Sequence, residues 1–271
     1  MPRSPRIVYP GALYHVTSRG NERKAIFRSD TDRAIFLELL ESTIRRFSWI
    51  CHGYCLMGNH YHLLVETPKP NLARGMHRLN GCYAQSCNRR WSRVGHLFQG
   101  RYHGIVVEKE AYLLELVRYI GLNPVRAGWR DAPEEWPWGS YPALVGLSRA
   151  PSWLTTAWVL AQFAPDRGRA RERLREFVWA RIADPAPLPV RNDLYLGTDA
   201  FIDRVDARVM FEIEHESQPA RPALETLFAE SSRPLEAARE HGYTLREIAD
   251  ATGRHYSTIS RRLHRAGSLA A

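Results

Sequence analysis

Apolar and polar residues alternate along Leu13–Ser18, with Leu13, His15 and Thr17 on one side and Tyr14, Val16 and Ser18 on the other. That period of two predicts a strand within Tyr9–Arg19, ended by Gly20-Asn21. The period then changes. Ile35, Phe36, Leu39, Leu40, Thr43 and Ile44 recur at helical spacing, which predicts a helix capped by Asp30 or Thr31 and reaching about Phe47. Trp49–Met57 and His60–Glu66 read as two strands joined at Gly58-Asn59, a hairpin. After the break at Pro68–Pro70, Asn71 opens a second helix with Leu72, Met76, Leu79 and Tyr83 on one face. A loop and fourth strand end at Gly104–Val107, and a third helix runs Glu108–Leu122 until Pro124 stops it.

The order β-α-β-β-α-β-α contains the split plan of ferredoxin-like domains, so the expected fold class is α+β. Its antiparallel sheet carries helices on one face, and an all-α C-terminal region follows. Trp129–Pro142 reads as a packed tail, Arg149–Arg181 as largely helical, and Asp184–Val190 as a Pro-rich linker. The expected domains are 1–146, a helical tail and linker at 147–190, and a helical domain at 191–271. Within the last, residues 243–263 have a sharper pattern. Leu245, Ile248 and Ala249 face inward on one helix, Gly253 supplies the turn, and Ile259 and Leu263 face inward on the next. This is a helix-turn-helix register, against the plainer alternative of an αα-hairpin. Tyr256, Ser257, Ser260 and Arg261 project outward and are residue types that contact base edges and phosphates. Arg262 stands where an apolar residue is usual, one place before Leu263.

Charge narrows the function. Lys and Arg number 38 against 29 Asp and Glu, a net +9 with pI near 9.6, which suits a polyanionic partner, nucleic acid first. No apolar run approaches a membrane span, and no apolar segment follows the basic N-terminus, so the expected compartment is the cytoplasm, at the nucleoid, with no membrane partner. Cys51, Cys55, Cys82 and Cys87 do not have the spacing of common zinc modules and read as free thiols in a reducing compartment.

Candidate chemistry lies in two places. His60 and His62 are two apart on a strand and so share a face, as a metal-binding imidazole pair does; two surface histidines beside a turn have the same pattern. Tyr119 and Asn123 are four apart on a helix and share a face, although a lone tyrosine is more often a packing aromatic. A metal held by imidazoles and an amide oxygen keeps positions open for phosphate oxygens, and a nearby tyrosine can attack phosphorus.

The chain resembles the His-hydrophobic-His single-tyrosine transposases, and more closely the REP-associated tyrosine transposases. The resemblance covers about residues 6–146. It rests on Tyr14–Asn21, Met57–Leu64, Leu97–Tyr102, Arg118-Tyr119-Ile120, Asn123–Gly128 and Trp136–Tyr141. It implies that His60, His62 and Asn123 are ligands of Mg2+ or Mn2+ and that Tyr119 is the nucleophile. The implied substrate is single-stranded DNA with hairpin or palindromic structure, cleaved through a 5′-phosphotyrosine that frees a 3′-OH. Tyr61 is a bulky occupant of the motif's hydrophobic slot. Arg3, Arg6, Arg19, Arg23 and Lys24 are candidates for a backbone groove, and Arg101 and Arg126 for the scissile phosphate; solvated surface charge is the plainer reading of each. Trp91, Phe98 and Tyr102 are candidate base-stacking residues, with core packing the plainer reading for at least two of them. The C-terminal helix-turn-helix is expected to bind duplex DNA, and the protein to act as a monomer or homodimer. Two rivals stay open: a catalytically silent DNA-binding regulator, and a metal phosphodiesterase that uses water.

Overall fold

A computed structural model of the protein describes residues 7–183, 188–216, 222–240 and 243–268. Arg3 and Arg6, two of the expected groove residues, lie outside them, as does part of the expected linker.

The first strand, β1 (Ala12–Arg19), is followed by α1 (Asp30–Phe47) and then by the hairpin of β2 (Ile50–Leu56) and β3 (His60–Thr67). Helix α2 (Leu72–Arg90), strand β4 (His103–Val107) and helix α3 (Lys109–Gly121) complete the expected order. The sheet order is β2-β3-β1-β4-β5, and the first four strands pair antiparallel. Ser29, rather than Asp30 or Thr31, caps α1, in a reciprocal capping box with Asp32. The Asp32 carboxylate is buried and also accepts from Arg90 and the Trp91 indole.

Strand alternation sorts the side chains onto two faces. Tyr14, Val16, Tyr61, Leu63, Val65 and Val106 pack under α1 and α2 in one core, with Phe36, Leu40, Met76, Leu79 and Tyr83. Leu13, Leu64, Ile105 and Val107 form a second core with Leu113, Leu116, Val117 and Ile120 of α3. The two helices of the split plan thus share one face, as expected, and α3 covers the other. This is the feature that builds the site, because α3 lies over the face carrying His60 and His62.

Pro124 does more than stop α3. It lies in the first turn of a further short helix, α4 (Asn123–Arg126), a position where proline is well tolerated. The Trp-rich tail seals the β2 edge: Leu56 N–H donates to the Trp138 carbonyl at 2.9 Å, and Tyr54 N–H donates to Ser140 Oγ at 3.0 Å. Helices α5 (Tyr141–Leu144), α6 (Ala157–Ala161) and α7 (Arg167–Trp179) then extend the α3 side, burying Val159, Leu160, Leu174 and Val178.

Leu188 and Val190 pack on the α3-side core, and the chain returns to the sheet as β5 (Tyr195–Leu196), parallel to β4. The sheet is therefore mixed. The chain divides into compact units at Val209/Met210, inside α8 (Asp199–Glu216), whose Phe201 and Val205 still belong to the first unit's core.

The second unit contains α9 (Leu224–Glu230), α10 (Pro234–Glu240), α11 (Leu245–Thr252) and α12 (Tyr256–Ser268). Leu227, Ala238, Ile248, Ala249 and Ile259 form its core, and Leu263 packs against it. Thr244 and Glu247 make a capping box for α11, and Gly253 ends it at φ 63°, a left-handed turn that favours glycine. The displaced apolar position is explained by the helix: Leu263 follows Ile259 by four residues and shares its face, while Arg262 is exposed.

Candidate active site

The β1 register brings the histidines together. Thr17 lies opposite His62 on one side and His103 on the other, and Arg19 lies opposite His60. His15, Thr17, Arg19, His60, His62 and His103 consequently point to one face. Tyr119 meets them from α3. Its ring centroid is 5.8 Å from those of both His62 and His15, with the rings edge to face. His60 and His62 are 5.1 Å apart. A cavity of about 510 Å3 opens here, lined by all of these residues with Gln99, Arg101 and Ile105.

Three of these imidazoles, His15, His60 and His62, are held neutral. Burial, then the Arg19 charge, pushes His60 down to about 4. Burial, then the neighbouring His15 and His60, holds His62 well below the ordinary value. Burial, then His103, lowers His15 to about 3. Neutral imidazoles keep a lone pair for a metal. On His60 its place can be assigned. Asn59 Nδ2 donates to the Arg23 carbonyl at 2.9 Å, which fixes the amide so that Asn59 Oδ1 meets His60 Nδ1 at 2.7 Å. Oxygen can only accept, so Nδ1 carries the hydrogen and Nε2 is bare. On His62, Nε2 is buried without a hydrogen-bond partner, while Nδ1 lies 2.9 Å from His15 Nε2. An orphaned buried nitrogen beside a second bare imidazole is a donor set that fits a divalent cation. Among the described residues no three His, Cys, Asp or Glu side chains form a metal-holding group.

The structure brings His60, His62, Tyr119, Arg19 and Arg101 to one cavity. Asn123 is buried at the start of α4 and does not line it; its Nδ2 donates to the Tyr119 carbonyl at 2.9 Å. Arg126 lies over the Tyr119 ring, its guanidinium carbon 4.4 Å from the centroid. Burial lowers Arg126, and hydrogen bonding to Tyr119 opposes that shift. Tyr119 and Arg126 also line a second cavity, of about 240 Å3, with Arg118 and Arg181. Arg23 and Lys24 are exposed in the turn after β1, and Lys24 pairs with Glu22 at 2.6 Å. Phe98 is buried, and Trp91 and Tyr102 pack against the same core.

Residues 9–123 match the family model described as "Transposase IS200 like". The N-terminal region is thus similar to IS200-like transposases. Residues 234–266 match a helix-turn-helix domain, which spans α10, α11 and most of α12. The chain is also similar to a solved structure of a REP-associated tyrosine transposase bound to a REP hairpin. They share 16% identity over 57% of this chain and 92% of that one, with a TM-score of 0.48. No curated protein matches the chain.

The N-terminal region contains site residues that the sequence pattern did not single out. His15 entered only as a strand position, Asn59 only as a turn residue, and His103 not at all. Alternation along β1 put His15 and Thr17 on one face, but what lies beside that face depends on β1 pairing with β3 and β4. On α12, Tyr256 and Arg261 are exposed and Ser257 and Ser260 are half-buried, on a helix whose inward positions are filled by Ile259 and Leu263. Of the free cysteines, Cys51, Cys55 and Cys87 are buried and Cys82 is half-buried.

Proposed function

We propose that the N-terminal region cleaves and rejoins single-stranded DNA with hairpin or palindromic structure, using Tyr119 as nucleophile. The observation that carries this reading is the Tyr119 ring at 5.8 Å from His62 in a cavity shared with His60. His60 and His62 would hold Mg2+ or Mn2+, which supplies Lewis acidity at a phosphodiester oxygen when bound. Asn123, four residues after Tyr119, is the proposed third protein ligand.

The chain's own residues do the rest. Arg126 over the Tyr119 ring stabilises negative charge developing on the phenolic oxygen. That oxygen attacks phosphorus, the P–O3′ bond breaks, and the phenolic proton is transferred to the departing 3′ oxygen. The products are a 5′-phosphotyrosine and a free 3′-OH. One phosphodiester replaces another, so the reverse step can join a new 3′-OH without further energy input. Arg19 and Arg101 line the cavity and would hold flanking phosphates. The helix-turn-helix unit, with Tyr256, Ser257, Ser260 and Arg261 outward, would bind duplex DNA.

The test is a covalent trapping experiment. Full-length protein, a labelled single-stranded hairpin oligonucleotide and Mg2+ should give a denaturant-stable protein–DNA species. Tyr119→Phe should remove it while leaving DNA binding intact, and EDTA should remove it from the wild type. Cleavage persisting in Tyr119→Phe would favour water as the nucleophile. No cleavage by the wild type would favour a silent regulator.

A further inference from the structure

We propose that His15 is a positioning residue that accepts a hydrogen bond from His62 Nδ1 and thereby leaves the His62 Nε2 lone pair open to the cation. The inference rests on the proposed role of the His60–His62 pair.

The contact is made inside the sheet. Because Thr17 is opposite His62, His15 is the diagonal neighbour of His62 on the same face. His15 Nε2 and His62 Nδ1 are 2.9 Å apart, both side chains are buried, and the ring planes differ by 13°. With both rings neutral, this contact contains one hydrogen, and it can sit on either nitrogen.

The two arrangements can be compared by what they leave unpaired. His15 Nδ1 and His62 Nε2 are both buried without a partner. If His15 donates, His15 Nδ1 is a bare acceptor and His62 Nε2 carries an unpaired hydrogen. If His62 donates, the roles exchange: His15 Nδ1 carries the hydrogen and His62 Nε2 has the lone pair. Each arrangement strands one donor and one acceptor, so the count alone does not choose between them. A cation does choose, because only the second arrangement offers it a lone pair at Nε2. His62 can therefore ligate only while His15 accepts.

The other histidine is arranged on the same principle. His60 donates from Nδ1 to Asn59 Oδ1 and presents Nε2. Both members of the pair thus have a neighbour that takes the Nδ1 hydrogen, an amide oxygen for one and an imidazole for the other. Partners of this kind fix tautomer and ring orientation, and their loss typically weakens metal affinity about 10–100-fold. Leucine at position 15 would leave the His62 Nδ1–H buried and unpaired. Glutamine can place a side-chain oxygen where His15 Nε2 now lies.

The experiment uses the full chain and Mn2+ alone as probe, with free Mn2+ measured by electron paramagnetic resonance. His15→Leu should bind Mn2+ about 10–100-fold more weakly than wild type. His15→Gln should recover most of the loss, which a purely space-filling role would not produce. Wild-type affinity in His15→Leu, or a glutamine variant as weak as the leucine one, overturns the proposal. His62→Ala separates the layers. If it binds Mn2+ as wild type does, the metal reading fails and the proposal fails with it. If it loses Mn2+ while His15→Leu does not, only the role of His15 fails. Imidazole nitrogen-15 NMR of the wild type with saturating Mg2+ decides the matter even if a variant misfolds. A hydrogen on His62 Nδ1 and a bare Nε2 are expected, and a hydrogen on Nε2 would overturn the proposal.

Discussion

Replacing Tyr61 with phenylalanine tests how the sheet is held behind the site. Tyr61 lies between the two motif histidines but points to the other face, fully buried against Phe36 at 4.6 Å between ring centroids. Its hydroxyl donates to Asn80 Oδ1 at 2.6 Å, and Asn80 Nδ2 donates to Ser18 Oγ at 3.2 Å. One polar chain therefore links β3, α2 and β1 beneath the histidines, which explains a tyrosine in a slot otherwise hydrophobic. Burial raises the phenol well above its ordinary value, so it remains a donor. In Tyr61→Phe the ring still fills the site, but the half-buried Asn80 Oδ1 loses its donor. The expected cost is about 0.5–1.5 kcal/mol, the net worth of one hydrogen bond. For a unit of this size that lowers Tm by between about 1 and 6 °C. All eight tryptophans precede Val209, so urea unfolding followed by tryptophan fluorescence reports the first unit alone. A double-mutant cycle with Asn80→Ala should give a coupling of at least about 0.5 kcal/mol. Because the hydroxyl faces away from the cavity, adduct formation per folded molecule should be unchanged. A Tyr61→Phe protein within about 0.5 kcal/mol of wild type, the range of ordinary surface substitutions, would refute the assignment.

Other outcomes follow from particular contacts. A Cβ on Gly75 would come within 2.1 Å of the Trp49 ring, which is held by Nε1 donating to Asn71 Oδ1 at 2.7 Å; Gly75→Ala should therefore cost about 1–3 kcal/mol by the same unfolding measurement, and an unchanged midpoint would show that the ring yields. Burial pushes the Cys51 thiol up to about 12 and raises Cys55 and Cys87. Alkylation of the native protein in mildly alkaline buffer, read by mass spectrometry, should therefore modify Cys82 alone, and labelling of Cys51 or Cys55 before unfolding would contradict the packing. A chain ending at Glu216 keeps β5 and α8; it should still cleave a short single-stranded substrate at high concentration but bind duplex-bearing substrates more weakly. Arg261→Ala in the full chain should reproduce part of that loss, about 1–3 kcal/mol in a binding titration if the arginine reads a base. Equal binding by all three proteins would assign the helix-turn-helix another task.

The sequence by itself determined what is local. Alternation placed His60 and His62 on one face and Tyr61 on the other, because side-chain direction in a strand depends only on the count of residues. Helical spacing found the inward faces of α1, α2 and α3, and of the helix-turn-helix, where the exchange of Arg262 and Leu263 follows from the four-residue return of the helix. Pairing is a different matter. That His15 lies against His62 depends on the register of β1 with β3, and that Tyr119 reaches His62 depends on α3 crossing to the face opposite α1 and α2. Neither is written in any window of residues. The return of the chain to the sheet was hidden for the same reason. A Pro-rich stretch looks like a linker, but β5 is two residues long, too short to have a period, and only the exposed edge of β4 shows why the chain returns there. Local sequence sets which way each side chain points, and the long-range pairing of strands and helices decides what it meets.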